Sequence, residues 1–229
     1  MTARSAILVT SVKTSAIALG TSRRVLQTPV AAAVVVVPIL VFIATWLLTS
    51  ISPHASHSME TILANSPPLV RERLWLWQLL TASFLHTNAA HLLLTVLPLA
   101  WLVSRLERSL GSLHVLLFCI LSAVFAYAVY DLADSFLPLW DPTSGASGSL
   151  YAAAVLFVLR FPQSSFPLTD RVRLPLWWLV LGFVALDISW FFWPVTMPWV
   201  NRIVHLGGAV FGVLWWAFLV QKDSVYERH

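Results

Sequence analysis

Residues Asp141 to Val155 read DPTSGASGSLYAAAV, a run of small and polar residues that passes directly into an apolar segment. Within it Ser147 lies between Ala146 and Gly148, where the apolar segment begins. Two interpretations of this serine are open. It caps the first turn of a helix, because serine and glycine are common at helix N-termini, or it is a nucleophile. The rest of the chain has to distinguish them.

The composition predicts an integral membrane protein surrounded by a lipid bilayer. The 229 residues are 59% hydrophobic and 10% charged, with a mean hydropathy of +0.81. Several apolar runs reach the ~20 residues that cross a bilayer core. The single cysteine, Cys119, excludes an internal disulfide and a cysteine metal cluster. The basic residues lie between apolar runs instead of clustering on a soluble face, so no nucleic-acid binding is expected.

Hydropathy predicts an all-α polytopic bundle of six transmembrane helices. The membrane domain covers residues 29–221, between a basic tail at 1–28 and a short tail at 222–229. The six predicted spans are 29–51, 78–104, 112–131, 147–160, 174–193 and 202–221.

The distribution of basic residues predicts that both termini are cytoplasmic, because cytoplasmic loops carry an excess of Lys and Arg. With this orientation only Arg71, Arg73 and Arg202 lie outside. The other eleven basic residues lie inside: Arg4, Lys13, Arg23, Arg24, Arg105, Arg108, Arg160, Arg171, Arg173, Lys222 and Arg228. The first 28 residues contain no acid, a composition that an organelle transit peptide shares, so that alternative stays open.

The fourth span is too short to cross the membrane alone. Its residues, 147–160, would form a helix of roughly 21 Å, against about 30 Å of hydrocarbon. We therefore expect this short helix to start inside the membrane, with the preceding loop dipping below the outer surface. Irregular backbone at that depth is tolerated only inside protein or beside a water-filled cavity, which favours a functional Ser147.

Other polar residues fall at the same predicted depth. His86 and His91 lie in the outer half of span two, and His205 lies near the outer start of span six. Ionisable residues inside a membrane are candidates for function by default. The three histidines could also bind a metal, but we identify no carboxylate in their layer to support them, and we expect neither metal nor cofactor.

Helical spacing predicts how spans four and six meet. Gly208 and Gly212 follow His205 on one face of span six, and such a face lets another helix approach closely. Ser147 and Tyr151 are four residues apart and share a face of span four. If these faces pack together, His205 reaches Ser147, and Tyr151 supports the ring. A serine becomes a nucleophile when a base such as histidine takes its proton. Backbone N–H groups at the helix start, together with His91, would stabilise an oxyanion.

At this point the residues resemble the rhomboid family of intramembrane serine proteases. The resemblance covers spans two to six and rests on four motifs: Gly145-Ala146-Ser147-Gly148, His205-x-x-Gly208-x-x-x-Gly212, the pair His86 and His91, and Tyr151.

The resemblance implies the following roles. Ser147 is the nucleophile and His205 the general base, as a dyad without a third acid. Tyr151 stacks on His205, and the oxyanion hole is formed by His91 and the N–H groups of Ala146 and Ser147. The implied substrates are single-span membrane proteins, cut near their outer ends without a cofactor.

Two features depart from the family pattern, and a third resembles one branch of the family. Thr95 stands where members usually carry asparagine, and one oxyanion donor can be worth ~3 kcal/mol. Thr95 can still donate one hydrogen bond to that hole, on a shorter side chain. The family's Glu-x-Arg appears here as Glu107-Arg108-Ser109. The stretch HTNAAHLLL also resembles the rhombosortases, a bacterial branch thought to process proteins with a C-terminal glycine-rich membrane anchor.

Three functions therefore remain open. An active intramembrane serine protease is favoured, located in a bacterial inner membrane with its active site toward the periplasmic side. A proteolytically inactive relative that binds transmembrane clients is the alternative, motivated by Thr95. A small transporter would show inverted repeats and paired broken helices, and the sequence shows neither. The oligomeric state is not predicted.

Overall fold

The computed structural model describes residues 28–136, 142–167, 169, 172–189 and 202–226. The helices in these ranges are α1 (Pro29–Ile51), α2 (Pro53–Leu63), α3 (Pro67–Arg73), α4 (Gln78–Thr81), α5 (Ala89–Leu110), α6 (Ser112–Asp134), α7 (Ser147–Arg160), α8 (Leu176–Ser189) and α9 (Arg202–Tyr226). A 3-10 turn spans Ala82–Phe84, and an antiparallel pair joins β1 (Ser165–Pro167) to β2 (Arg173–Pro175).

Among the residues that the structure describes, four helices are long and apolar enough to cross a membrane: α1, α5, α6 and the part of α9 from Arg202 to Leu219. The prediction of a mostly helical, multi-pass membrane protein is therefore confirmed. Helices α7 and α8 are apolar but have 14 residues each, or roughly 21 Å. The count of six membrane spans stays a prediction. Most of the tail predicted at 1–28 lies outside the described residues, and α9 continues as far as Tyr226 into the tail predicted at 222–229.

The predicted bounds of span two, 78–104, are wrong. The chain forms the short helix α4 and the 3-10 turn, becomes extended at Leu85, and starts α5 only at Ala89. The reason is local, because the Asn88 side chain accepts a hydrogen bond from the His91 N–H at 2.8 Å and so caps α5. His86 consequently lies in the loop before the span, while His91 lies in its first turn.

Helices α7 and α9 make the most extensive contact of any helix pair described. Two glycines of α9 allow it. A Cβ added to Gly208 would overlap the carbonyl of Gly148, and one added to Gly212 would meet the carbonyl of Ala152. The glycine face of α9 therefore lies directly against α7, with backbone touching backbone as small residues permit.

The loop that precedes α7 is held by backbone pairing. Asn65 and Thr143 exchange two backbone hydrogen bonds, of 3.0 and 2.9 Å. The Gly145 N–H donates to the Ala82 carbonyl at 2.9 Å, and the Gly145 carbonyl accepts from the Tyr127 hydroxyl at 2.8 Å. The end of this loop is thus buried in protein, and these hydrogen bonds satisfy its backbone polar groups.

Glu107 has a structural role in the bundle. Its side chain is buried, and its two carboxylate oxygens each accept a hydrogen bond of 3.1 Å, from the N–H groups of Val30 and Ala31. These are orphan donors in the first turn of α1. The carboxylate of α5 therefore caps α1 and fixes the first span to the rest of the bundle.

Candidate active site

Ser147 is the first residue of α7, and it is not the cap of that helix. The N-cap position is occupied by Ala146, and no side chain there bonds the first turn. Ser147 is 8% exposed and lines a cavity of about 890 Å³. The interpretation of Ser147 as a capping residue therefore has no support in the geometry.

His205 lies in the first turn of α9 and lines the same cavity as Ser147. Its ring stacks on the ring of Tyr151, with centroids 4.4 Å apart and planes inclined by 13°. Tyr151 is one helical turn beyond Ser147 and lies on the same face of α7. The His205 ring, which stacks on Tyr151, therefore lies against the face of α7 that bears the serine. The close approach of α9 to α7 at Gly208 brings these groups together.

The structure adds an acid that sequence reasoning missed. Asp187 of α8 is buried, and its Oδ2 lies 3.0 Å from His205 Nδ1. Its Oδ1 lies 4.0 Å from Nε of Arg202. The expectation that no carboxylate lies in the histidine layer is therefore wrong. The signal was available, because Asp187 is an ionisable residue inside a predicted span, which marks a candidate by default.

The contact with Asp187 determines which nitrogen of His205 can act as a base. When the carboxylate is ionised it only accepts hydrogen bonds, and Nδ1 is then the donor in the His205–Asp187 contact. The Nε2 atom is then the ring nitrogen with a free lone pair. This is the tautomer that a general base for Ser147 requires.

His91 lies beside the backbone that leads to Ser147. It lines the cavity, and its ring packs on Gly145, where an added Cβ would lie 2.9 Å from His91 Nε2. Gly145 has a φ of +125°, a conformation that residues with a side chain rarely adopt. Glycine thus allows the loop to run against the His91 ring.

The hydroxyl of Thr95 forms hydrogen bonds with His86 and with a backbone carbonyl. It lies 2.7 Å from the His91 carbonyl oxygen and 2.9 Å from His86 Nε2. The Ala146 N–H also points to His86 Nε2, at 3.4 Å. A hydroxyl has one proton, which here goes to the carbonyl or to His86. Thr95 therefore links the loop that bears His86 to the turn of α5 that bears His91. It lines the cavity, but its hydroxyl proton is not donated into the cavity.

The cavity is lined mostly by apolar side chains. Its polar and charged lining residues are His91, Thr95, Ser147, Tyr151, Asp187, Ser189, Arg202 and His205. The walls come mainly from large side chains of three helices: Leu94 and Trp101 of α5, Leu150 and Phe157 of α7, and Leu179 and Phe183 of α8. Within the ranges that the structure describes, no group of three His, Cys, Asp or Glu side chains is arranged to hold a metal ion.

Comparison with known proteins gives one positive result. A profile of the Rhomboid domain matches residues 73–222, about two thirds of the chain, from the end of α3 into α9. A search of curated proteins finds no match. The matched region contains Ser147, Tyr151, Asp187 and His205. The chain is therefore a member of the rhomboid family.

Proposed function

We propose that this protein is an active intramembrane serine protease, with Ser147 as nucleophile and His205 as general base. Rhomboid-family proteins are generally intramembrane serine proteases. One observation carries the proposal. Ser147 and His205 are both buried and line the same, mainly apolar cavity, and Tyr151 stacks on the histidine from the helix that bears the serine.

The chemistry follows from these groups. His205 Nε2 takes the proton of Ser147 Oγ as the oxygen attacks the carbonyl carbon of a substrate peptide bond. The negative charge on the carbonyl oxygen is stabilised by the Ser147 N–H at the start of α7 and by His91. His205 then protonates the leaving amine, and a water activated by the same ring hydrolyses the acyl-enzyme.

The apolar lining of the cavity favours transmembrane proteins as the substrates. Its walls are apolar side chains of α5, α7 and α8, which suit the side chains of a membrane span. A helical span must unwind to present a carbonyl to Ser147. Glycine lowers the cost of unwinding, since it is about 1 kcal/mol worse than alanine in a helix. A C-terminal glycine-rich anchor, as rhombosortases process, is therefore the narrower substrate class that we propose.

The first test is labelling of the detergent-solubilised protein with a fluorescent fluorophosphonate, which reacts with activated serines. We expect labelling of the wild type and none of Ser147→Ala or His205→Ala. Thermal unfolding curves should show that all three proteins are folded. Labelling that persists in Ser147→Ala would show that the reactive residue lies elsewhere.

The alternative is an inactive relative that binds transmembrane clients, and the engagement of Thr95 favours it. The Thr95 hydroxyl bonds the His91 carbonyl and His86, so it supplies no donor to an oxyanion. If the folded wild type is not labelled and Thr95→Asn is, the alternative is correct. If the wild type is labelled and cleaves a membrane-anchored substrate, it is wrong.

A further inference from the structure

We propose that Asp187 is a positioning residue that holds and polarises His205, completing a Ser147–His205–Asp187 array. This inference rests on the proposed protease function. It replaces the dyad that the family resemblance implies with a three-residue arrangement assembled from α7, α9 and α8.

The first argument is the location of the acid. Asp187 is the one charged residue within α8, whose sequence is LWWLVLGFVALDIS. A charged group in an apolar helix costs several kcal/mol unless it finds partners. Asp187 lies near the C-terminal end of α8, beside His205 and Arg202 in the first turn of α9, and it is 5% exposed.

The second argument is the geometry around the imidazole. The Asp187 carboxylate contacts the ring edge, with Oδ2 3.0 Å from Nδ1, and Tyr151 covers one face at 4.4 Å between centroids. The Tyr151 hydroxyl also interacts with the carboxylate. An edge contact and a face contact together restrict rotation of the ring and select the tautomer with the proton on Nδ1.

The third argument is the charge that forms during acylation. The O–H bond of Ser147 breaks as its Oγ–C bond to the substrate forms, and the proton moves to His205 Nε2. The ring then carries a positive charge 3.0 Å from an anionic oxygen. Asp187 stabilises that charge and takes no proton. Burial of both side chains strengthens the attraction, because little water screens it.

A purely structural ion pair is the competing explanation. Asp187 Oδ1 lies 4.0 Å from Arg202 Nε, and this pair could serve only to join α8 to α9. The two carboxylate oxygens face different partners, however, and the shorter contact is the one to His205. The two explanations differ in what removal of the charge does to the reactivity of Ser147.

The test compares Asp187→Asn and Asp187→Glu with Asp134→Asn in the intact protein. Asp134 is a matched control, because its side chain is also 7% exposed and it also pairs with an arginine, Arg71, at 2.6 Å. The rate of fluorophosphonate labelling at several probe concentrations separates the maximal rate, kinact, from the probe affinity, KI. Thermal unfolding reports the fold of each variant.

We expect Asp187→Asn to lower kinact about 100-fold or more, since an amide favours the wrong tautomer, while KI and Tm change little. Asp187→Glu should recover part of the rate because it keeps the charge, and Asp134→Asn should label like the wild type. Wild-type kinact in a folded Asp187→Asn would overturn the proposal. An equal loss of kinact in Asp134→Asn would also overturn it, because removing the charge of either carboxylate would then have the same effect on labelling.

A measurement on the wild type keeps the proposal testable if Asp187→Asn does not fold. Nitrogen-15 NMR of labelled histidines, with His205 assigned by its absence in His205→Ala, should show the proton on Nδ1. A proton on Nε2 of the neutral ring would contradict the array. This readout does not depend on catalysis, so a protein that is never labelled refutes the proposed function without deciding the role of Asp187.

Discussion

At the scale of the residue, the site depends on side chains held in one conformation by close neighbours. The Gly145 backbone packs on the His91 ring, Tyr151 stacks on His205, and Asp187 bonds the edge of His205. Each contact restricts a ring that the proposed mechanism requires to be in place before substrate arrives. Preorganisation of this kind is what makes donors and bases effective in a low-dielectric site.

Gly145→Ala is predicted to lower both stability and labelling. The new Cβ would lie 2.7 Å from His91 Cε1, in a backbone conformation with φ of +125°. The matched control is Gly111→Ala, because Gly111 also has a positive φ, of +85°, but its Cβ would meet nothing within 4 Å. Gly111→Ala should cost about 1 kcal/mol of backbone strain and leave labelling of the folded protein intact.

The Gly145 comparison is measured by Tm and by the labelling rate of each folded variant. We expect a loss of labelling of at least tenfold for Gly145→Ala only, because displacement of His91 would disturb the proposed oxyanion site. Equal labelling of the two variants would show that the contact between Gly145 and His91 has no part in catalysis.

At the scale of the element, the site depends on how closely α7 and α9 approach. Ser147 is on one helix and His205 on the other, and Gly208 and Gly212 set the separation of the two backbones. Within a membrane, helices associate through packing and hydrogen bonds, since lipid is as apolar as the side chains. A single methyl group at this contact therefore affects the distance between Ser147 and His205, the proposed nucleophile and base.

Gly208→Ala is predicted to destabilise the bundle by about 1–3 kcal/mol, the usual cost of overpacking, and to reduce labelling. The reason is that the Cβ would overlap the Gly148 carbonyl. The matched control is Gly182→Ala in α8, where a Cβ meets nothing within 4 Å. That variant should be as stable as the wild type or slightly more so, because alanine favours helix.

Thermal unfolding in detergent and the labelling rate test the Gly208 prediction together. If Gly208→Ala unfolds and labels like Gly182→Ala, the close packing of α7 on α9 is not what brings His205 to Ser147.

At the scale of the whole molecule, the polar groups of the candidate site collect at one end of the bundle. Helices α5, α7 and α9 begin there with His91, Ser147 and His205, and α8 ends there with Asp187. The outward faces of the helices carry large exposed apolar side chains, such as Trp46 of α1, as expected of surfaces in contact with lipid.

The C-terminus is predicted to be cytoplasmic, which puts the polar end of the bundle on the outer side. Green fluorescent protein fused after His229 should fluoresce in bacterial cells, and alkaline phosphatase fused there should be inactive. The physical reason is the excess of basic residues in the loops predicted to be inside. An active phosphatase fusion would reverse the orientation and place the site on the cytoplasmic side.

The sequence by itself determined the class of protein and predicted most residues of the candidate site. Hydropathy is a property of contiguous residues, so α1, α6 and the core of α9 could be predicted closely. The spacing of Ser147 and Tyr151, and that of His205, Gly208 and Gly212, predicted the two helix faces that meet. The bounds of span two could not be predicted from hydropathy, because Asn88 starts α5 through one local hydrogen bond.

Only the tertiary structure decided which polar groups bond to one another. Asp187 and His205 are 18 positions apart on different helices, and no periodicity predicts that their side chains meet. The resemblance to the family predicts that Thr95 serves the oxyanion hole, yet its hydroxyl bonds His86 and the His91 carbonyl. A hydrogen bond depends on distances of a few tenths of an ångström, and helix packing determines those distances, whereas hydropathy and residue spacing determine only which segments lie together.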